Sequence, residues 1–220
     1  MVNLQQTPFS TTSPLIASFD YSDIDSGTGL NTYYAGKAGG NYILNDKLFY
    51  SEQLKTEAAA STTGTDTKVL DIDFDLTEFQ ISKTVKGVAN VTIPLSYKNG
   101  GSSTSNRMWA VVKVKKWNGT TETTIGTGTG SEWTNSSPAG TSTTFYNFNT
   151  IFFDVDETYF SIGETLRITI EIWNRTSFSR TIILPHSPKD QLINEWSTLN
   201  DSDALDLVGI ELNIPFKLDL

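Results

Sequence analysis

The chain has 220 residues, with 25 acidic against 16 basic side chains and a formal net charge of −9. That length can bury one large β core or two small ones, and the acidic surface repels phosphate backbones, so no nucleic-acid partner is expected. The absence of cysteine excludes disulfides, thiolate metal sites and cysteine nucleophiles.

Residues 1 to 15, MVNLQQTPFSTTSPL, have no strand alternation, and they lack the basic start and apolar run of a secretory signal. They are expected to form an extended N-terminal arm, held along the domain or by a neighbour, with residues 16 to 220 as a single domain. No apolar run approaches the ~20 residues that span a bilayer, so no membrane partner is expected. The stretch NTYYAGKAGGNYILNDKLFYSEQLKTEA reads as two or three strands, with turns at Gly39-Gly40 and Asn45-Asp46.

Period-2 alternation then becomes clear. In KVLDIDFDL, Leu70, Ile72, Phe74 and Leu76 share one face, and Asp71, Asp73 and Asp75 share the other. GVANVTIPLSY aligns Ala89, Val91, Ile93, Leu95 and Tyr97. Pro94 falls on the opposite face, which suggests an edge or a bulge. RMWAVVKVKKW sets Met108, Ala110, Val112 and Val114 against Trp109, Val111, Lys113, Lys115 and Trp117. Asn118-Gly119 follows as a hairpin signal, with TTETTIGTGT as the return strand. GTGTGSEWTNSSPAGTSTT, residues 126 to 144, reads as a long loop or irregular hairpin.

TFYNFNTIFF is a further strand. ETLRITIEIW turns Leu166, Ile168, Ile170 and Ile172 inward and Arg167, Thr169, Glu171 and Trp173 outward. RTIILP continues after a turn, and DQLINEWSTL, 190 to 199, is the best helix candidate. LVGIELNIPFKLDL closes the chain, with Pro215 again marking an edge. Roughly eight to ten strands with regular turn signals predict an all-β, antiparallel β-sandwich, jelly-roll-like, with at most one short helix.

The aspartate triplet has the spacing of a calcium loop, but such a loop needs Gly at its sixth position and Glu at its twelfth. Counted from Asp71, these are Leu76 and Ser82, and the intervening Ile72 and Phe74 suit a buried strand face. Better oxygen clusters lie in expected turns, at Asp23 and Asp25, at Asp154, Asp156 and Glu157, and at Asn200, Asp201, Asp203 and Asp206. Turn and cap roles are preferred for all of them, so no metal and no cofactor is expected. His186 is the only histidine, lies between two prolines and has no nucleophile elbow to serve, so it reads as a turn residue and no catalytic residue is assigned. Four of the five tryptophans remain: Trp109, Trp117 and Trp173 on outward faces and Trp133 in the Thr-rich stretch are candidates for partner contact, for glycan stacking, or for core packing if the faces are inverted.

The closing third, YFSIGETLRITIEIW, TIILPHSPKD and GIELNIPFKLDL, resembles β-sandwich virion structural proteins of tailed viruses of bacteria and archaea. In those, a GETLRLT-like strand precedes an HDP-like turn and a terminal IPF strand; here Ser187 replaces the acid of the turn. The resemblance covers residues 68 to 220 and carries no catalytic residues. It implies a virion location after synthesis in a host cytoplasm. The function expected is therefore that of a virion structural protein that is not an enzyme, decorating or cementing a capsid or forming part of a tail. Its expected partners are other virion proteins and copies of itself, as a homo-oligomer with a trimer as one form. The alternative is a carbohydrate-binding adhesin or tail-tip module taking a host glycan. An enzyme such as a glycosidase would need two convergent carboxylates in a cleft, and flat sandwich faces are expected to end that reading.

Overall fold

A computed structural model of the chain describes residues 28–99, 105–136, 144–188 and 209–217. Twelve strands form over them: β1 (Thr28–Ala38), β2 (Asn41–Asn45), β3 (Lys55–Ala59), β4 (Thr67–Asp75), β5 (Lys83–Asn99), β6 (Ser105–Trp117), β7 (Glu122–Thr129), β8 (Trp133–Ser136), β9 (Thr144–Phe160), β10 (Thr165–Arg175), β11 (Arg180–Pro185) and β12 (Glu211–Lys217). No helix occurs among the described residues, and the fold is the all-β, sandwich-like one expected. The N-terminal arm and the helix expected at 190 to 199 lie outside the described residues.

The strand pairings close on themselves. β12 bonds both β1 and β5, so β12-β1-β2-β4-β10-β6-β7-β9-β5 makes a ring, with β8 added to β6 and β11-β3 to β5. Two seams in the ring are thin. β2 meets β4 through one parallel pair, Ile43 and Asp75, and β7 meets β9 through Gly126 and Val155. Between the seams the ring flattens into two sheets, β4-β10-β6-β7 and β9-β5-β12-β1-β2. Phe74, Val112, Ile168 and Ile170 from the first sheet share one core with Val91, Ile93, Ile151 and Leu212 from the second.

Local sequence explains the joints. Gly39 and Gly40 take φ of 59° and 79°, the left-handed pair that a tight β1–β2 hairpin needs. Asn118 turns β6 into β7, where its Oδ1 accepts from the amides of Thr120 and Thr121 at 3.0 and 2.8 Å. Pro94 does not mark an edge strand, since β5 is central. It falls between the stretch of β5 paired with β12, which ends at Thr92, and the stretch paired with β11, which starts at Ser96. Its missing N–H therefore costs no ladder bond on that side. Pro215 also lies in a central strand, not an edge. It sits at a register shift between Asn213 and Phe216, opposite Gly87.

The expectation of a long loop or irregular hairpin over residues 126 to 144 is corrected in the described part, residues 126 to 136 and 144. β7 runs to Thr129 and β8 follows at Trp133. The glycines are the reason. A Cβ on Gly126 would lie 3.1 Å from Val155 Cγ2, one on Gly128 2.7 Å from Ile151 Cγ2, and one on Gly130 2.9 Å from Asn149 Oδ1. Every second residue is thus kept bare so that β7 can lie over the side chains of β9 at the seam. Gly128→Ala is expected to force Ile151 or Phe153 from its place and lower stability by about 1–3 kcal/mol. Thr127→Ala, one residue away and exposed, is expected to be near neutral. Urea midpoints of the two variants check this, and equal midpoints would mean that the seam is not close-packed.

Candidate interaction faces

The outer face of β4-β10-β6-β7 carries the aspartate triplet. Register places Arg167 between Asp75 and Lys115, Thr169 between Asp73 and Lys113, and Glu171 between Asp71 and Val111. Arg167 Nε and Nη2 donate to the two oxygens of Asp75 at 2.6 and 2.7 Å, a bidentate fork. Its Nη1 donates to Glu122, and its guanidinium lies 4.7 Å from the centre of the Trp117 ring. The Thr169 hydroxyl donates to Asp73, and Lys68 donates to Asp71. Each acid of the triplet therefore has a partner within the sheet.

Glu171 anchors the other end of this network. It is buried, and it accepts from Lys113 Nζ at 2.6 Å, Lys68 Nζ at 3.2 Å and Trp173 Nε1 at 3.0 Å. Burial pushes its carboxyl up most strongly, yet the bonds from Lys113, Trp173 and Lys68 outweigh that and hold it below the usual carboxylate range. The Trp173 ring stacks on Trp109 across the strands, with centroids 6.3 Å apart and planes 15° apart. Trp109, Trp117 and Trp173 do face outward as the alternation predicts, but each is half-buried and lies among its neighbours on the sheet. Trp133 is on β8, not in a loop; it is tilted over Tyr97 at 5.2 Å and packs on the core.

His186 is fully buried. Its Nε2 lies 2.9 Å from Thr56 Oγ1, which in turn lies 3.0 Å from the Tyr42 hydroxyl. The rings of Tyr42 and Phe74 meet it edge-on at 5.5 and 6.1 Å. Burial pushes its imidazole down to about 4, and its polar neighbour is the Thr56 hydroxyl. Asp154 and Asp156 lie along β9, not in a turn as expected, and Glu157 accepts from Lys86 at 2.9 Å. At the β2–β4 seam a cleft of about 1400 Å³ opens beside Tyr42, Asn45, Asp46, Asp73, Lys83 and the Asp75–Arg167 pair, whose two groups bind each other.

The outer face of β9-β5-β12-β1 is different in kind. One row across it runs Phe152, Asn90, Asn213, Thr32, and the next runs Thr150, Thr92, Glu211, Tyr34. Thr32 Oγ1 donates to Asn213 Oδ1 at 2.6 Å, Asn213 Nδ2 donates to Asn90 Oδ1 at 2.9 Å, and the Thr92 and Thr150 hydroxyls lie 3.2 Å apart. Phe152 is 68% exposed, Val88 53%, Phe148 49% and Leu30 46%. Within these rows the one charge is Glu211; Asp154 lies opposite Val88 in the next row, and beyond it Glu157 pairs with Lys86 and Lys217. Sequence reasoning missed this face because it sought tryptophans. The signal was present in TFYNFNTIFF, where Phe148 and Phe152 stand four residues apart, on the face opposite Ile151 and Phe153.

No protein-family model matches the sequence, and no curated protein matches it. Solved structures share its fold. The chain is similar over 86% of its length to a CocE/NonD family hydrolase of Staphylococcus aureus, at 14% identity and a TM-score of 0.50, covering 37% of that chain. It is similar over 86% of its length to an aminopeptidase of a marine sediment Thaumarchaeota archaeon, at 10% identity and a TM-score of 0.51, covering 37% of that chain. An α-amino acid ester hydrolase matches over 72% of this chain and 34% of its own, at 13% identity and a TM-score of 0.50. The chain thus spans about a third of the length of these hydrolases, and at such identities the likeness is one of fold alone. It nevertheless corrects the expectation that the chain is not an enzyme. Flat sandwich faces were expected to end the enzyme reading, yet hydrolases contain this fold, so the fold gives no ground for that exclusion.

The buried histidine makes stability depend on pH. Its folded value, about 4, lies below the ordinary 6.5, so the unfolded chain takes up the proton first. The stability that the neutral ring supplies is present above about pH 6.5 and is lost progressively as pH falls towards about 4. A fall from about pH 7.5 to about pH 5 is expected to cost on the order of 2 kcal/mol, and His186→Gln is expected to remove most of that dependence. Urea midpoints at the two pH values test this; an equal fall in both proteins would assign the effect to carboxylates.

Proposed function

We propose that this chain is a structural β-sandwich protein of a virus particle, docking to neighbouring subunits through the Phe148–Phe152 face. The supporting observation is the contrast between its two outer faces. The β4-β10-β6-β7 face spends its charges on one another. The β9-β5-β12-β1 face exposes aromatic and aliphatic side chains around a hydrogen-bonded Asn/Thr row, the composition of an interface core, which is poor in charge and rich in aromatics. The particle location rests on the resemblance of the closing third to virion proteins. Decorating or cementing a capsid, or building part of a tail, both need such a face.

A second reading takes the sandwich as one part of a hydrolase, and the neighbours that share its fold favour it. On that reading, ester or aminoacyl ester hydrolysis would require the rest of such an enzyme, within the same polypeptide or as a partner.

Co-expression with the remaining particle proteins separates the two. Phe152→Asp is expected to fold but to leave the purified particles, while Thr127→Asp on the opposite face stays in them. Retention of Phe152→Asp at the wild-type copy number would reject docking through this face. Turnover of p-nitrophenyl esters or aminoacyl p-nitroanilides by the chain would favour the second reading.

A further inference from the structure

We infer that the occupant of the Phe148–Phe152 face is a second copy of this chain, seated sheet on sheet. The inference rests on the docking role proposed above and names the partner of that same face.

Charge allows a copy of the chain to pair at this face. A molecule of net charge −9 repels its copies, so two copies meet most readily where charge density is lowest. The row Phe152, Asn90, Asn213, Thr32 has no charge, and the acids nearest to it, Glu211 and Asp154, lie in the flanking rows. The opposite face could not serve in this way, because its lysines and arginine already bind Asp71, Asp73, Asp75, Glu122 and Glu171.

Hydrogen-bonding chemistry points the same way. Asn and Thr side chains each donate and accept, so a row built from them complements its own copy after a two-fold rotation. Phe148 and Phe152 then find apolar partners in their counterparts and in Val88 and Leu30. Four strands at ordinary spacing, over the seven residues from 88 to 94, give a footprint of roughly 20 by 23 Å. That buries roughly 900 Å² in total, below the ~1,200–2,000 Å² of stable pairs, so the dimer is expected to be weak and reversible and to form at micromolar concentrations or above.

Sedimentation velocity on the full chain, from roughly 1 to 100 µM, tests this. The wild type is expected to pass from monomer to dimer across that range. The transition is expected to move to lower concentration as salt rises, because salt screens the repulsion between two acidic bodies. Phe152→Glu is expected to stay monomeric with an unchanged melting temperature, while Thr127→Glu dimerises like the wild type. A wild type that is monomeric at every concentration, a Phe152→Glu variant that dimerises as tightly, or a dimer that salt dissociates would overturn the inference. If the chain is monomeric yet Phe152→Asp is still lost from particles, self-pairing fails and the docking role stands. If Phe152→Glu breaks a dimer that particles do not require, the reverse holds.

Discussion

The long strands of this protein give every second residue to a common core, and that two-residue period governs the rest of the structure. In β10, Leu166, Ile168, Ile170 and Ile172 are fully buried; in β5, Ala89, Val91, Ile93 and Leu95 are buried opposite them. A one-residue slip in either strand would turn all four outward, so the hydrophobic effect fixes the register of the whole ring. Once register is fixed, so is the membership of each outer face. The neighbours of Asp75, Glu171 or Phe152 follow from the pairing and not from local sequence.

The two outer faces use that placement in opposite ways. On β4-β10-β6-β7, register sets acids of β4 beside cations of β10 and β6, and Glu171 is buried with three donors around it. A buried carboxylate with its donors supplied costs little to keep ionised, whereas the same group with a donor removed would be a burden on the fold. This face is therefore internally satisfied. On β9-β5-β12-β1 the same geometry sets amides and hydroxyls side by side and leaves Phe148 and Phe152 exposed. Exposed aromatics over an uncharged row gain by being covered.

Much of this was legible in the sequence. VLDIDFDL and ETLRITIEIW read correctly as strands with the right residues inward, because their alternation is long and free of glycine. The all-β class followed from such runs. The Gly39-Gly40 and Asn118-Gly119 turns carried their own chemistry. What could not be read depended on partners distant in sequence. GTGTG looks like a loop until Ile151 and Phe153 occupy the space over its glycines. Pro94 looks like an edge until β12 and β11 are seen to share β5 end to end. Trp109, Trp117 and Trp173 face outward as expected, yet whether they are free depends on Arg167, Glu171 and one another. The Phe148–Phe152 face was missed because nothing in one strand says that its neighbours across the sheet will be Asn and Thr. The exclusion of enzymes rested on missing motifs and on the expectation of flat faces, and hydrolases contain this same fold.

The central claim is that one outer face is closed by its own ion pairs and the other is built to be covered. A density map of the intact particle tests it most directly. The account predicts that Phe148, Asn90 and Phe152 lie within contact distance of another subunit while Asp71, Asp73 and Asp75 look into solvent. A map in which the aspartate face is buried against a neighbour and the Phe152 face lies open, or one in which no copy of this chain is found, would contradict it.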